Sequence, residues 1–132
     1  MDRTDKELIE LSAKAAGLSG EWELDEAYVQ EKWRYMLPYH KHGLMASIEW
    51  NPLREDGDAL RLAVQLGVFD GGKEFHRYRI VECLTGIGLE AATRRAIVRV
   101  AADIGSTMQD IRQPSLSTEA QNEQKGSEAT NE

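Results

Sequence analysis

The sequence predicts a small α+β domain, a mainly antiparallel sheet packed with three helices in an α/β/α sandwich-like arrangement. Three observations predict it. Three stretches carry apolar residues three and four apart, each with a helix start or stop signal at an end. Between the first two, apolar and polar residues alternate over two runs that a Pro-to-Gly turn separates. A further run from Lys73 to Leu84 is rich in aromatic and β-branched residues.

The elements follow in order. Thr4 with Glu7 makes a capping box, and Leu8, Leu11, Ser12 and Ala15 recur at helical spacing. Gly17 sits where a left-handed C-cap belongs, so the first helix is expected over about Asp5 to Ala16. Trp22 and Leu24 alternate with Glu21 and Glu23, a short half-buried strand. Trp33, Tyr35 and Leu37, then Leu44, Ala46, Ile48 and Trp50, alternate with polar or flexible neighbours and predict a hairpin across Pro38 to Gly43. Val29, Trp33 and Leu37 also fit a helical stripe, and the hairpin is preferred because it joins both runs economically.

The stretch Trp50 to Gly67, WNPLREDGDALRLAVQLG, reads as a strand-to-helix connection. Pro52 stops the ladder, and Asp56-Gly57-Asp58 supplies turn chemistry and a carboxylate to cap the next helix. Ala59, Leu62, Ala63 and Leu66 form that helix's buried stripe, ended by Gly67. Val68 and Phe69 are expected to begin a strand, and Lys73 to Leu84 to form another. The last helix places Leu89, Thr93, Ala96, Ile97, Val100 and Ile104 on one face, with Gly105 near its end.

Domain organisation follows from composition. Residues 1–112 are expected to form one domain, and the polar tail 113–132 to be disordered, because it has one Leu and no aromatic residue to bury. The net charge is −7, of which the tail contributes −3. That balance argues against nonspecific nucleic-acid binding, which depends on Lys and Arg neutralising phosphates. Cys83 is the only cysteine, which excludes an intrachain disulfide, fits a reducing compartment and suggests a buried, inert thiol. The charged start MDRTDKELIE predicts no signal peptide, and no apolar run reaches a membrane-spanning length, so a cytoplasmic protein is expected.

Four clusters could carry chemistry. His40 and His42 have metal-ligand spacing, yet a site needs a third ligand, and an exposed turn with two ordinary histidines is the simpler account. Glu55, Asp56 and Asp58 match no calcium-loop order and already serve the helix start. On the last helix, Glu90 is placed to neutralise Arg94, while Arg95 and Arg99 put like charges on one face unless an anion lies between them. Asp103 is one internal candidate for that role. Finally, Arg54, Arg61, Arg77 and Arg79 lie near Trp50, Phe75, His76 and Tyr78 in the chain. These are the residue types of a nucleotide-like pocket, in which rings stack and guanidinium groups hold phosphate. No phosphate loop, dinucleotide fingerprint, nucleophile elbow or zincin helix occurs, so no catalytic residue, metal or cofactor is predicted.

Three segments, DKELIELSAKAAGLSGEW, WNPLREDGDALRLAVQLG and AATRRAIVRVAADIG, together resemble a family of small phage accessory proteins, the NinX-like and phage ABA-sandwich domains. The resemblance implies an α+β sandwich made inside an infected bacterium. It names no activity by itself; combined with the Arg-and-aromatic segments and the absence of a catalytic motif, it suggests a counter-defence protein that binds and sequesters a nucleotide-derived immune signal, either a cyclic oligonucleotide or an ADP-ribose derivative, as a homo-oligomer and without catalysis. The expected binding residues are Trp50, Arg54, Arg77, Tyr78, Arg95 and Arg99. The alternative is an inhibitor or accessory factor that covers a host protein with its acidic surface.

Overall fold

Helix α1 (Asp5–Ala15) is held at both ends by the residues the sequence marks for it. The Thr4 hydroxyl accepts from the Glu7 amide, and the Glu7 carboxylate accepts in return from the Thr4 amide. Gly17 adopts the left-handed conformation at φ 76°, which lets Leu18 N–H reach back to the Ala13 carbonyl and close the helix. The computed structural model describes residues 3–39, 44–70 and 72–108. The tail from Gln113 and the His40-Lys41-His42 run lie outside the described residues.

Strands β1 (Gly20–Asp25), β2 (Gln30–Tyr39) and β3 (Leu44–Glu49) form an antiparallel sheet in that order. The hairpin register follows the alternation of the sequence. Trp22 opposes Trp33, and Tyr35 opposes Ile48, so the aromatic residues share one face. That face meets α1, where the Glu10 carboxylate accepts from the Trp22 indole and Lys6 lies 5.0 Å from its ring centre. The opposite face is an ion-pair ladder, with Lys32 2.9 Å from Asp25 and 3.6 Å from Glu49, and Arg34 3.6 Å from Glu23. Its hydrogen bond to Lys32 holds the Asp25 carboxyl below its usual value, and the same bond raises Lys32.

Helix α2 (Asp56–Leu66) follows the sheet through the connection that the sequence foresees, with one change of role. Asp58 does not cap the helix amides. Its carboxylate accepts from the Asn51 amide at 3.0 Å and from Arg61 at 2.7 Å, so it ties the helix back to the turn. Asn51 in turn accepts from the Leu53 amide, and Pro52 between them is fully buried. Gly67 closes the helix at φ 64°.

The largest departure from expectation comes next. Val68 and Phe69 form a turn, and the run expected as a strand is helix α3 (Glu74–Cys83). Its period is hard to read because the face turned inward mixes Phe75 and Tyr78 with Arg79 and Glu82, while Ile80 and Val81 face solvent. Apolar periodicity therefore reports the wrong side of this helix. Cys83 ends it half-buried. With α4, residues 89–108, the described residues hold four helices and one three-stranded antiparallel sheet, an α+β domain.

The core lies between the aromatic face of the sheet and the helices. Leu8, Ile9, Trp33, Trp50, Leu62 and Ile97 supply its bulk, and Ala13, Ala59, Ala63, Ala101 and Ala102 bring the elements close. Gly105 does not end α4. It is buried inside the helix, and a Cβ built on it would lie 2.0 Å from the Leu11 carbonyl oxygen, so the backbones of α1 and α4 touch there.

Candidate functional site

Turned inward, the polar face of α3 builds a site against α1 and α4. Glu82 is the pivot, with a side chain only 10% exposed. One carboxylate oxygen lies 2.8 Å from Arg99 Nη1 and the other 3.3 Å from Arg95 Nε. The like charges four residues apart on α4 therefore do have an anion between them. It comes from the segment that the sequence casts as a strand, and Asp103 serves elsewhere.

Asp103 accepts from Arg3 at 2.9 Å and from the Tyr78 hydroxyl. The Tyr78 ring is covered by Arg99, whose guanidinium carbon lies 4.2 Å from the ring centre, and Arg77 lies 5.6 Å from it. Arg95 also pairs with Asp5 at 2.8 Å, which fastens α4 to the first turn of α1. Burial works against the charge on Arg95, but the bonds to Asp5 and Glu82 outweigh it, so its pKa lies above the usual value. Arg94, expected to pair with Glu90, instead binds Asp56 at 2.7 Å and the Leu53 carbonyl at 2.9 Å. It fixes α4 to the α2 entrance and takes no part in the site.

These groups line a cleft of about 500 Å³ whose walls are Arg3, Glu7, Leu8, Tyr78, Glu82, Arg95, Arg99 and Asp103. The volume falls in the range of small-molecule sites, about 300–1,000 Å³. A guanidinium offers five donors. Arg3, Arg95 and Arg99 each commit only one or two of them to carboxylates among the described residues. Guanidinium donors are thus left uncommitted on three residues that line the cleft, beside carboxylates that accept hydrogen bonds. That combination suits a ligand bearing both phosphate oxygens and hydroxyl groups.

Of the six residues expected to bind, Tyr78, Arg95 and Arg99 come together here, with Arg77 stacked on Tyr78 at the margin. Trp50 does not join them. It is 5% exposed and packs on Trp33 with ring centres 5.6 Å apart, so its role is in the core. Arg54 is also elsewhere, beside Glu49 and Glu55. Arg3 and Glu82 are contributors that sequence reasoning missed, and Asp103, named there only as a partner for Arg95 and Arg99, instead binds Arg3 and Tyr78. The 3–4 spacing of Phe75, Tyr78 and Glu82 is the signal that would have found Glu82, once the run is seen as a helix.

Tyr78 gives the cleft an alkaline limit. Burial raises its pKa above 10.0, and donation to the charged Asp103 raises it further, while Arg99 opposes them. A raised folded-state pKa adds stability that is complete below the unfolded value and is lost as pH rises through the folded one. Tyr78→Phe, which loses the hydrogen bond to Asp103, should be less stable than wild type at neutral pH. That gap should narrow as pH passes 10 and continues upward, which thermal unfolding of both proteins at stepped pH will measure.

No protein-family model matches the chain, and neither a curated protein nor a solved structure is significantly similar to it.

Proposed function

We propose that the protein binds and retains a small ribose-phosphate ligand in the cleft between α1, α3 and α4, without altering it. The observation that carries this reading is the convergence of three guanidinium groups on one cleft that also holds Tyr78 and accepting carboxylates. Phosphate oxygens would take the free donors of Arg3, Arg95 and Arg99, and ribose hydroxyls would donate to Glu7 or Asp103. The cleft is lined by three basic and three acidic side chains, so it is locally neutral within an acidic chain. Such balance favours a sugar phosphate over a bare polyanion. The biological setting, sequestration of a nucleotide-derived immune signal in the cytoplasm of a phage-infected bacterium, rests on the resemblance of the three segments alone.

Thermal shift tests this reading. The full chain is screened with cyclic dinucleotides, cyclic trinucleotides and ADP-ribose derivatives. A ligand at about 100 times its Kd stabilises the folded state by roughly 2.7 kcal/mol. For a domain of this size, that raises Tm by about 10 °C or more. Arg99→Lys keeps the charge that holds Glu82 but loses the planar fork, and it should remove most of the shift. Heating the loaded protein should release the ligand intact. An unmoved Tm across all three classes, or a chemically altered ligand, would overturn the proposal.

A further inference from the structure

Helix α3 turns Phe75, Tyr78, Arg79 and Glu82 toward the protein and leaves Ile80 and Val81 exposed among Glu74, His76 and Arg77, without the apolar inner stripe of an ordinary surface helix. Ile80 and Leu84 are 61% and 82% exposed, with Val81 between them. A hydrogen bond from Arg79 to Thr93 sets this helix beside the part of α4 that floors an apolar groove. Leu60 of α2, Phe69 and Leu89 stand at the mouth of that groove, each at least half exposed. Val64, one turn along α2 from Leu60, and Ile87, between α3 and α4, are exposed as well. At roughly 100 Å² apiece, these eight side chains expose about 800 Å² in all across α2, α3 and the entry to α4.

We infer that this face, formed by α2, α3 and the first turns of α4, is where a second copy of the chain docks about a two-fold axis. The exposed area matches what each partner gives to a standard-size interface, about 800 Å². The charge around it points to a second copy. A chain of net charge −7 repels itself on most of its surface. The segments that carry this face, however, hold both signs: exposed Lys73 and Arg77 against Asp70, Glu74 and Glu90, with Arg61 paired to Asp58 and Arg94 to Asp56. A rim with both signs can meet itself after a two-fold rotation, so that each basic residue finds an acidic one. The core supplies a further reason. Five of the thirteen residues of its buried cluster are alanine, while several large aliphatic side chains stay exposed on this face, so association would bury surface that one copy leaves in solvent.

Sedimentation velocity on the full chain from about 1 to 100 μM tests the inference. The expected species has twice the 14.9 kDa chain mass. Leu84→Glu, at a position 82% exposed, should raise the dimer dissociation constant at least 100-fold while leaving the circular dichroism spectrum unchanged. Leu60→Glu, on the groove side, should act alike and serves as the second variant. A wild-type monomer at 100 μM would overturn the inference and leave the face to another occupant. A dimer that withstands both substitutions would overturn the placement. Neither result bears on the cleft of α1, α3 and α4, whose ligand test stands apart.

Discussion

Gly105→Ala is expected to lower the stability of the domain by about 3 kcal/mol or more, at the upper end of what overpacking costs. The added methyl would sit 2.0 Å from the Leu11 carbonyl oxygen, 2.8 Å from its carbon and 3.3 Å from its Cα. All three are backbone atoms of α1, so no side chain can rotate away, and the two helices must separate. Separation would loosen Leu8, Ile9 and Ala13 against Val98, Ala101 and Ala102, the alanine-lined centre of the core. For a domain of about 100 residues, a loss of 3 kcal/mol lowers Tm by about 12 °C or more. Urea unfolding should show the midpoint falling with little change in slope. The usual gain from Gly to Ala inside a helix, about 1 kcal/mol, would be the result if the helices did not touch there.

Glu82→Ala is expected to cost about 3 kcal/mol, close to the lower bound for breaking a buried ion pair. Removing this carboxylate leaves Arg95 and Arg99 facing each other with nothing between them, on a helix where their spacing is already unfavourable. Asp5 still neutralises Arg95 and both guanidinium groups are about a quarter exposed, which keeps the loss from the higher figures. Glu82→Gln retains shape and one acceptor but loses the charge, and it should fall between wild type and the alanine variant. Chemical unfolding of the three proteins orders them. If the alanine variant matched wild type, Glu82 would not be the pivot that joins α3 to α4.

The two substitutions also mark how far the sequence is legible. Short-range signals are written in residue type and spacing: the Thr4–Glu7 box, the Gly17 and Gly67 caps, and the alternation that sets Trp33 and Tyr35 on one face. The contacts that build the cleft are long-range. Arg3 reaches Asp103 across 100 positions, and Arg95 reaches Asp5 across 90, which no local pattern encodes. Helix α3 was misread because periodicity assumes that apolar residues face inward, and here Ile80, Val81 and Leu84 face outward. Once that run is seen as a helix, Glu82 falls one turn from Tyr78, and both turn toward α4. Gly105 lies near the described end of α4 as the sequence places it, but its role there, a close approach to a neighbouring backbone, has no local signal. Trp50 and Arg54 entered the expected site on residue type alone, and tertiary packing sends one to the core and the other to a separate cluster of acidic residues.

The central claim is that Arg3, Tyr78, Arg95 and Arg99 form one ligand cleft. A two-dimensional ¹H–¹⁵N NMR titration of the full chain with ADP-ribose tests it most directly, observing backbone amides and arginine Nε–H groups together. Saturable shifts are expected to cluster at the Nε–H signals of Arg3, Arg95 and Arg99 and at the Tyr78 and Glu82 amides, with Arg54 unmoved. Shifts that gather around Arg54 and Trp50 instead, or a spectrum unchanged at millimolar ligand, would contradict it.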